Sequence, residues 1–368
     1  MIVARVAVAV VGAVLVLWTL LSAVRTVVVP RAIPSTLTRV HFRALRVVFD
    51  VLAPPRSSFE HRDRMMAFYA PIGLVLLPGI WVLLIIIGFT GIFWGTGVDP
   101  LSEAFATSGS SMLTLGFIRS EGTWRVAIEF IEAGLGLAVV SLMISYLPTI
   151  YGAFSRREVL IGRLEARAGL PPSASELFRR FHRIGWLDEI DELFEEWEVW
   201  FADIEESHSS QSALVFFRSL HSGRSWITSA GCMLDSAALR ISLLDRPFNP
   251  SGAVMMRTGF FSLRRIADFF ALPYDPDPAP DAPISVTRAD FDQLCVELEE
   301  AGLALKPDRD QAWRDFAGWR VNYDSVLLQL CALVMAPPAP WSSDRMPTRP
   351  RIRFRPTKRD RVASPSIR

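Results

Sequence analysis

Thr114-Leu115-Gly116-Phe117 is the stretch that decides the fold of this chain. It follows a short amphipathic segment, Pro100 to Met112, and it lies between two long apolar runs, Ile72–Phe93 and Ile128–Tyr151. Non-helical backbone at membrane depth is tolerated only where protein surrounds it or water reaches it. The order of these segments therefore predicts a chain that re-enters the membrane between two spans, as a short helix followed by an irregular loop. Asp99 is the predicted N-cap of this helix and Pro100 its predicted first residue.

Three apolar runs are long enough to cross a bilayer. The first, Val6–Val29, is longer than the apolar core of a signal peptide, about 7–15 residues, and no small-x-small cleavage site follows it. At about 1.5 Å per residue it covers a hydrocarbon core of about 30 Å. The second run contains Pro78 and Gly79, which predict a kink. The sequence therefore predicts an all-α membrane protein with three transmembrane helices, a re-entrant pore helix with a filter loop, and an all-α cytosolic domain.

The distribution of arginine predicts the orientation. Seven arginines lie in 31–64 and four in 156–167, whereas the loop between the second and third spans has only Arg119 and Arg125. The positive-inside rule places the first two groups in the cytoplasm and the loop outside. We therefore expect a multi-pass protein of the cytoplasmic membrane with its N-terminus outside and residues 155–368 inside. The preference for arginine over lysine suggests a GC-rich bacterial genome, and hence a bacterial inner membrane.

The loop carries groups that can bind a dehydrated cation, because backbone carbonyls and a threonine hydroxyl replace a hydration shell. Leu101–Phe117, with the third span after it, resembles the pore-loop module of two-transmembrane potassium channels, in which a pore helix precedes Thr-Val-Gly-Tyr-Gly-Asp. The resemblance covers about residues 70–153. Ile118 and Arg119 replace the second glycine and the acidic residue of that pattern. The residues that match its first four positions are Thr114, Leu115, Gly116 and Phe117.

The resemblance implies a tetrameric channel for a monovalent, potassium-like cation, because one loop cannot surround an ion. It implies that residues 114–117 bind the permeant ion, with no other cofactor, and that the cytosolic domain is regulatory. We expect the partners to be three further copies of the chain and the bilayer, with no nucleic acid. The alternative is a membrane-anchored interaction or scaffold protein with a non-conducting pore-like loop.

Further residues are candidates for the pore mouth and for a gating hinge. The charged residues near the mouth either draw cations inward or form ion pairs with one another and with Arg125, and the sequence leaves both open. For the two glycines the alternative to a hinge is close helix packing, and the proline either bends the inner helix or ends the span. The mouth candidates are Arg119, Glu121, Glu129 and Glu132, and the hinge candidates are Gly134, Gly136 and Pro148.

The remaining chain divides into recognisable segments. Residues 1–30 hold the first span, and 31–69 form a basic linker with an interfacial helix capped by Ser35. The pore module covers 70–154, and the helical cytosolic domain covers 155–336 and includes a capping box that begins at Thr287. Residues 337–368 are a basic tail that we expect to be disordered. Anionic lipid headgroups are the predicted contacts of the tail and of Arg39, Arg43 and Arg46.

Enzyme signatures do not form a complete set. The three cysteines are far apart and include no C-x-x-C pair. Glu205 and His208 have the spacing of half of a di-iron site, but a second copy is missing. Ser110 invites comparison with a membrane serine protease, which needs a base beside the nucleophile, and no histidine lies within a span. The sequence predicts neither an enzyme nor a metal site.

Overall fold

The computed structural model describes residues 2–29, 35–54 and 57–347. This part of the chain is helical and contains no strand, only an isolated bridge between Leu244 and Leu305, so the all-α prediction is confirmed. The helices are α1 (Ile2–Val27), α2 (Thr36–Leu52), α3 (Phe59–Ala67), α4 (Tyr69–Gly95), α5 (Leu101–Met112), α6 (Thr123–Ala168), α7 (Ala174–Arg183), α8 (Ile190–Ser210), α9 (Trp226–Ser242), α10 (Ser251–Phe269), α11 (Arg288–Glu300), α12 (Arg309–Arg320) and α13 (Asp324–Val334), with three short 3-10 helices.

Three helical stretches are long and apolar enough to cross a membrane, as predicted: Ile2–Val27, Phe59–Gly95 and Thr123–Ala168. Pro78 lies inside α4 and Pro148 inside α6, and neither ends its helix. The two interpretations of Pro148, a bend in the inner helix and the end of the span, both remain predictions. The missing N–H of Pro148 costs one intrahelical bond, and the helix continues for five more turns because the residues after it, including Ala153, Ile161 and Leu164, bury apolar side chains.

The described residues divide into two compact units. The first consists of the residues up to Arg156 together with Ser210–Arg218, and the second of Arg157–Ser209 together with the residues from Ser219 onward. The division within α6 lies two residues from the predicted domain boundary at 154/155.

Glycines bring α1 and α4 into close contact in the first unit. A methyl group on Gly12 would overlap the carbonyl oxygen of Gly88, and a methyl group on Gly88 would crowd Val16. Small residues at such positions let two membrane helices approach until their backbones touch, which increases dispersion contact. Elsewhere along α4, large apolar side chains are buried, among them Trp81 and Phe93. Sequence analysis did not predict which helix α1 packs against.

Helix α2 has the predicted start, because the Ser35 hydroxyl accepts the N–H of Thr38. One side of α2 packs on α4, where His41 Nε2 lies 2.9 Å from the Gly73 carbonyl oxygen and the Tyr69 hydroxyl donates to the Phe42 carbonyl. Helix α2 also has a row of apolar side chains that are exposed. They are Val40, Val47, Val48, Val51 and Leu52.

Ser210–Arg218 belongs to the first unit, whereas sequence analysis placed it within the 155–336 domain. Its aromatic side chains explain the difference. The Phe216 ring packs edge-on against Tyr69 with centroids 5.5 Å apart, and Phe217 packs against Tyr151 at 6.0 Å. Arg218 forms an ion pair with Asp63. Such contacts join residues that are far apart in the chain and leave no periodic signal in the sequence.

The second unit is built around α9, in which every residue except Ile241 is buried. Helices α7, α10, α12 and α13 surround it. The predicted disordered tail begins too early, because residues 337–347 pack onto this unit: Ala339 and Ser343 are buried and Arg345 pairs with Asp290. Residues 348–368, with most of the basic side chains of the predicted tail, lie outside the described residues.

Candidate functional site

The helix that precedes the loop begins one residue later than predicted. Pro100, predicted to be the first helical residue, is the N-cap, with extended backbone (ψ 178°) and no side-chain cap. Its carbonyl oxygen accepts the N–H groups of Glu103 and Ala104. Asp99, predicted to be the cap, forms an ion pair with Arg5 instead, at 2.6 Å.

Small polar residues fasten α5 to the helices on either side of it. Ser108 is fully buried, and its Oγ lies 3.0 Å from the Ile86 carbonyl oxygen on α4 and 2.5 Å from Glu132 Oε1 on α6. A polar contact of this kind stabilises helix association where the alternative environment is hydrocarbon. The C-terminus of α5, which carries partial negative charge, is therefore held in a defined place.

The loop after α5 has left-handed backbone at two alternate positions. Thr114 has φ +55° and Gly116 has φ +69°. Glycine adopts this conformation without a steric penalty, whereas threonine does so only where its surroundings hold it. Ile118, which stands where the channel pattern has its second glycine, has no positive φ. The irregular loop predicted from the sequence is present, and its shape does not need glycine at 118.

Ser110 organises this loop through both its oxygen atoms. Its carbonyl oxygen accepts the N–H of Leu115 at 2.8 Å and that of Gly116 at 3.4 Å. Its hydroxyl oxygen accepts the N–H of Phe117 at 3.1 Å and that of Ile118 at 3.2 Å. Four consecutive backbone donors are thus directed to one residue in the last turn of α5.

The carbonyl groups of the same loop are left without partners. Across the described part of the chain, no N–H or hydroxyl group donates to the carbonyl oxygens of residues 114–117. All four residues are exposed, with Leu115 at 61% and Phe117 at 64%. Backbone acceptors in a protein interior or in a bilayer need a partner, so these oxygens require a donor, water or a cation.

The charged residues predicted for the mouth fall into two groups. Arg119 and Glu121 are exposed and form no ion pair with each other, and Arg119 has no ion-pair partner among residues 2–29, 35–54 and 57–347. Arg125 donates to the Thr96 carbonyl. The interpretation that Arg119 and Arg125 pair with the glutamates of α6 is therefore wrong. The backbone N–H of Ser120 binds one of these carboxylates, and the Ser108 hydroxyl of α5 binds the other.

Glu129 and Glu132 do not line an open mouth in the single chain. Glu129 Oε1 accepts the N–H of Ser120 at 2.7 Å, which fastens the end of the loop to α6. Glu132 is fully buried against Ser108, and its second carboxyl oxygen has no hydrogen-bond partner in the described structure. An ionisable side chain buried within an apolar span is a functional candidate. Glu132 lies behind α5 and not at the mouth.

The two hinge glycines have different surroundings. A methyl group on Gly136 would overlap the carbonyl oxygen of Met112 at the end of α5, so Gly136 permits close packing of α6 on α5. A methyl group on Gly134 would meet nothing within 4 Å. Packing therefore explains Gly136, while Gly134 and Pro148 remain predictions as hinge positions.

Alanine at these positions tests that assignment. We expect Gly136→Ala to destabilise the first unit by about 1–3 kcal/mol, because the added methyl forces two backbones apart. Gly134→Ala should leave stability unchanged or raise it by up to about 1 kcal/mol, because alanine is the better helix former. Thermal unfolding of the detergent-purified chain measures both, and equal effects would contradict the packing role.

Comparisons with protein-family models, with curated proteins and with solved structures found no match to this chain. Function must therefore be argued from the geometry. Among the described residues, no group of three or more His, Cys, Asp or Glu side chains could hold a metal ion.

Sequence analysis missed Ser110 as the residue that shapes the loop. It considered Ser110 as a possible protease nucleophile and did not predict that this residue binds the loop amides. The available signal was position, since Ser110 and Ser111 both lie in the last turn before a glycine-containing loop, where hydroxyl groups commonly accept backbone N–H bonds. Which of the two does so depends on the path of the loop.

Proposed function

We propose that this chain is one subunit of a homotetrameric channel for monovalent, potassium-like cations, and that the second unit is its cytosolic regulatory domain. The observation that carries the proposal is the separation of donors and acceptors at residues 114–117. Ser110 accepts the N–H groups of residues 115–118, and no donor in the described structure binds the carbonyl oxygens of residues 114–117. Free carbonyl oxygens on an exposed irregular loop are the ligands that a dehydrated cation uses.

The exposed surfaces of the first unit support assembly of several copies. One loop supplies too few oxygens to replace a hydration shell, so copies must meet around an axis. Leu115 and Phe117 are exposed beside the free carbonyls, and large apolar side chains on α6 are exposed as well, including Phe130, Ile131 and Leu137. Lipid and neighbouring copies are the environments that suit such side chains.

Helix α2 suits the cytoplasmic surface of the bilayer in this proposal. Its exposed apolar row would enter the headgroup boundary, and the nearby arginines would contact anionic lipids. Arg43 is exposed, while Arg46 also pairs with Asp50 at 3.3 Å. The N-terminus would then lie outside and the second unit in the cytoplasm, in agreement with the distribution of arginine.

Flux through liposomes tests the proposal. We expect purified protein to conduct K⁺, and we expect Ser110→Ala to lower the flux about tenfold, because two loop amides each lose an acceptor worth about 1 kcal/mol. Ser111→Ala is the matched control. Ser111 is buried in the same turn, but its hydroxyl accepts no loop amide in the described structure, so its flux should equal that of the wild type.

A second candidate function, a membrane-anchored interaction protein with a non-conducting loop, is favoured by Arg119. An exposed guanidinium beside the loop, with no ion-pair partner in the part of the chain that the structure describes, repels cations. This candidate predicts no flux at verified insertion and a detergent particle with the mass of one chain. Flux that is equal in the wild type and Ser110→Ala would also reject a channel whose filter depends on the Ser110 hydroxyl.

A further inference from the structure

The second unit contains a cavity of about 280 Å³ that the proposed channel function does not use. It lies between the first residues of α7, one side of α9, one side of α11 and residues 340–345. Cys232 and Asp235 of α9 are among its buried lining residues. The volume is at the lower end of the range for small-molecule sites, about 300–1,000 Å³.

Beside the cavity is a buried cluster with unbalanced charge. Arg320 is completely buried, donates to Asp235, and donates through Nε to Asp324 at 2.8 Å. Two carboxylates share one guanidinium, so the formal charges of the cluster sum to −1. A buried charge without compensation costs several kcal/mol, and the described residues supply no second cation to these carboxylates.

Asp235 lines the cavity and has one carboxylate oxygen that no donor of the described residues uses. Its Oδ1 accepts both Arg320 and the Tyr323 hydroxyl, the latter at 2.8 Å, while Oδ2 accepts no hydrogen bond from the described chain. The side chain is only 5% exposed, and it lines the cavity. Burial raises the pKa of Asp235 above its ordinary value although Arg320 and Tyr323 act against that rise. The carboxylate therefore lacks a donor that a ligand could provide.

The rest of the lining is also rich in carboxylates. Among the described residues, the donors to Glu297 are both neutral: Ser175 at 2.8 Å and Gln293 at 3.3 Å. Asp344 lies 3.6 Å from Arg345, the only cationic side chain of the lining, and Arg345 also donates to Asp290. The lining thus contains four carboxylates and a single arginine, so the cavity attracts positive charge. The carboxylates are those of Asp235, Asp290, Glu297 and Asp344.

Trp341 adds an aromatic surface that the same cluster holds in place. Its backbone is left-handed, with φ +57°, an uncommon conformation for a bulky residue. Arg320 donates to its carbonyl oxygen, and its ring packs on Phe316 with centroids 5.6 Å apart. The same buried arginine therefore positions both an unused carboxylate oxygen and an indole, the two groups that recognise an organic cation.

We propose that this cavity binds a small organic cation, a protonated amine with an apolar substituent. The ammonium group donates to Asp235 Oδ2, Glu297 adds a second negative charge, and the apolar part lies against Trp341 and Leu294. This inference goes beyond the channel proposal. Because amine binding is measured without any ion flux, the binding proposal and the channel proposal can each fail while the other holds.

Calorimetric titration of the detergent-purified full chain tests the proposal. The probes are 2-phenylethylamine, the neutral 2-phenylethanol and the anionic phenylacetate, which share the aromatic group and differ in charge. We expect the amine to bind at least tenfold more tightly than the other two. Asp235→Asn should weaken the amine at least tenfold and Glu297→Gln about threefold. Asp245→Asn, an exposed residue outside the lining, should bind like the wild type.

Several results would overturn this assignment. They are equal binding of the three probes, no binding of the amine to the wild type, or unchanged amine affinity in Glu297→Gln. Asp235→Asn removes part of a buried network, so its melting temperature is compared with that of the wild type first. If it fails to fold, Glu297→Gln and Trp341→Leu provide the test, because both residues are only partly buried. Unchanged affinity for the amine in both single variants then rejects the site.

Discussion

Replacement of Arg320 by methionine is expected to destabilise the second unit by about 3–5 kcal/mol, the cost of breaking a buried ion pair from one side. The guanidinium is completely buried and binds Asp235, Asp324 and the Trp341 carbonyl. Without it, two buried carboxylates repel each other in a low dielectric and several acceptors lose their donor. At about 2–4 °C per kcal/mol, the melting temperature should fall by about 6–20 °C.

Arg314→Met is the matched control, because Arg314 lies on the same helix, is exposed, and within the described structure donates only to Gln311. Its change should stay within about 0.5 kcal/mol. Adding Asp235→Asn and Asp324→Asn to Arg320→Met should restore part of the loss, because the repulsion disappears. A loss below about 1 kcal/mol for Arg320→Met alone would contradict a stabilising role for the buried cluster.

Substitution of Gly116 by alanine is expected to lower K⁺ flux at least tenfold. The backbone of Gly116 is left-handed, with φ +69°, and a methyl group there would meet nothing within 4 Å. The entire penalty therefore comes from the backbone, about 1–2 kcal/mol for a residue with a Cβ in this conformation. Because the neighbouring carbonyl oxygens depend on the same backbone turn, a shift away from this conformation would disperse the proposed ligands.

Gly109→Ala isolates this effect. Gly109 also has open space at the Cβ position, but it lies within α5 and has no positive φ, so alanine should fit and flux should be unchanged. Equal amounts of each variant must be inserted, as judged by protein recovered in the liposomes. Equal flux through the two variants would show that the loop conformation does not govern conduction.

Local features of the fold could be predicted from the sequence. The three apolar helices follow from hydropathy alone, since about 20 apolar residues are enough to cross a bilayer. Ser35 caps α2 as predicted, and Thr287 and Asp290 form the predicted capping box. Each of these depends on residues within one or two turns of one another.

The candidate site was predictable only in outline. The irregular loop at 114–117 was correctly located because a glycine-containing tetrad follows a short helix between two spans. The burial of Glu132 behind α5 was not predictable, and neither was the difference between Gly134 and Gly136. Both depend on how α6 is rotated against α5, which a single helical repeat does not reveal.

Sequence alone thus determined where α2 and α11 begin, which helices are apolar enough for a bilayer, and where the backbone leaves the helical path after α5, because caps, hydropathy and glycine act over a few residues. Tertiary structure alone decided that Ser110 holds the loop amides, that Arg320 joins two acids and Trp341, and that Ser210–Arg218 joins the first unit. Those contacts bring together side chains from separate elements, and their energies depend on distances and burial that exist only once the helices have packed.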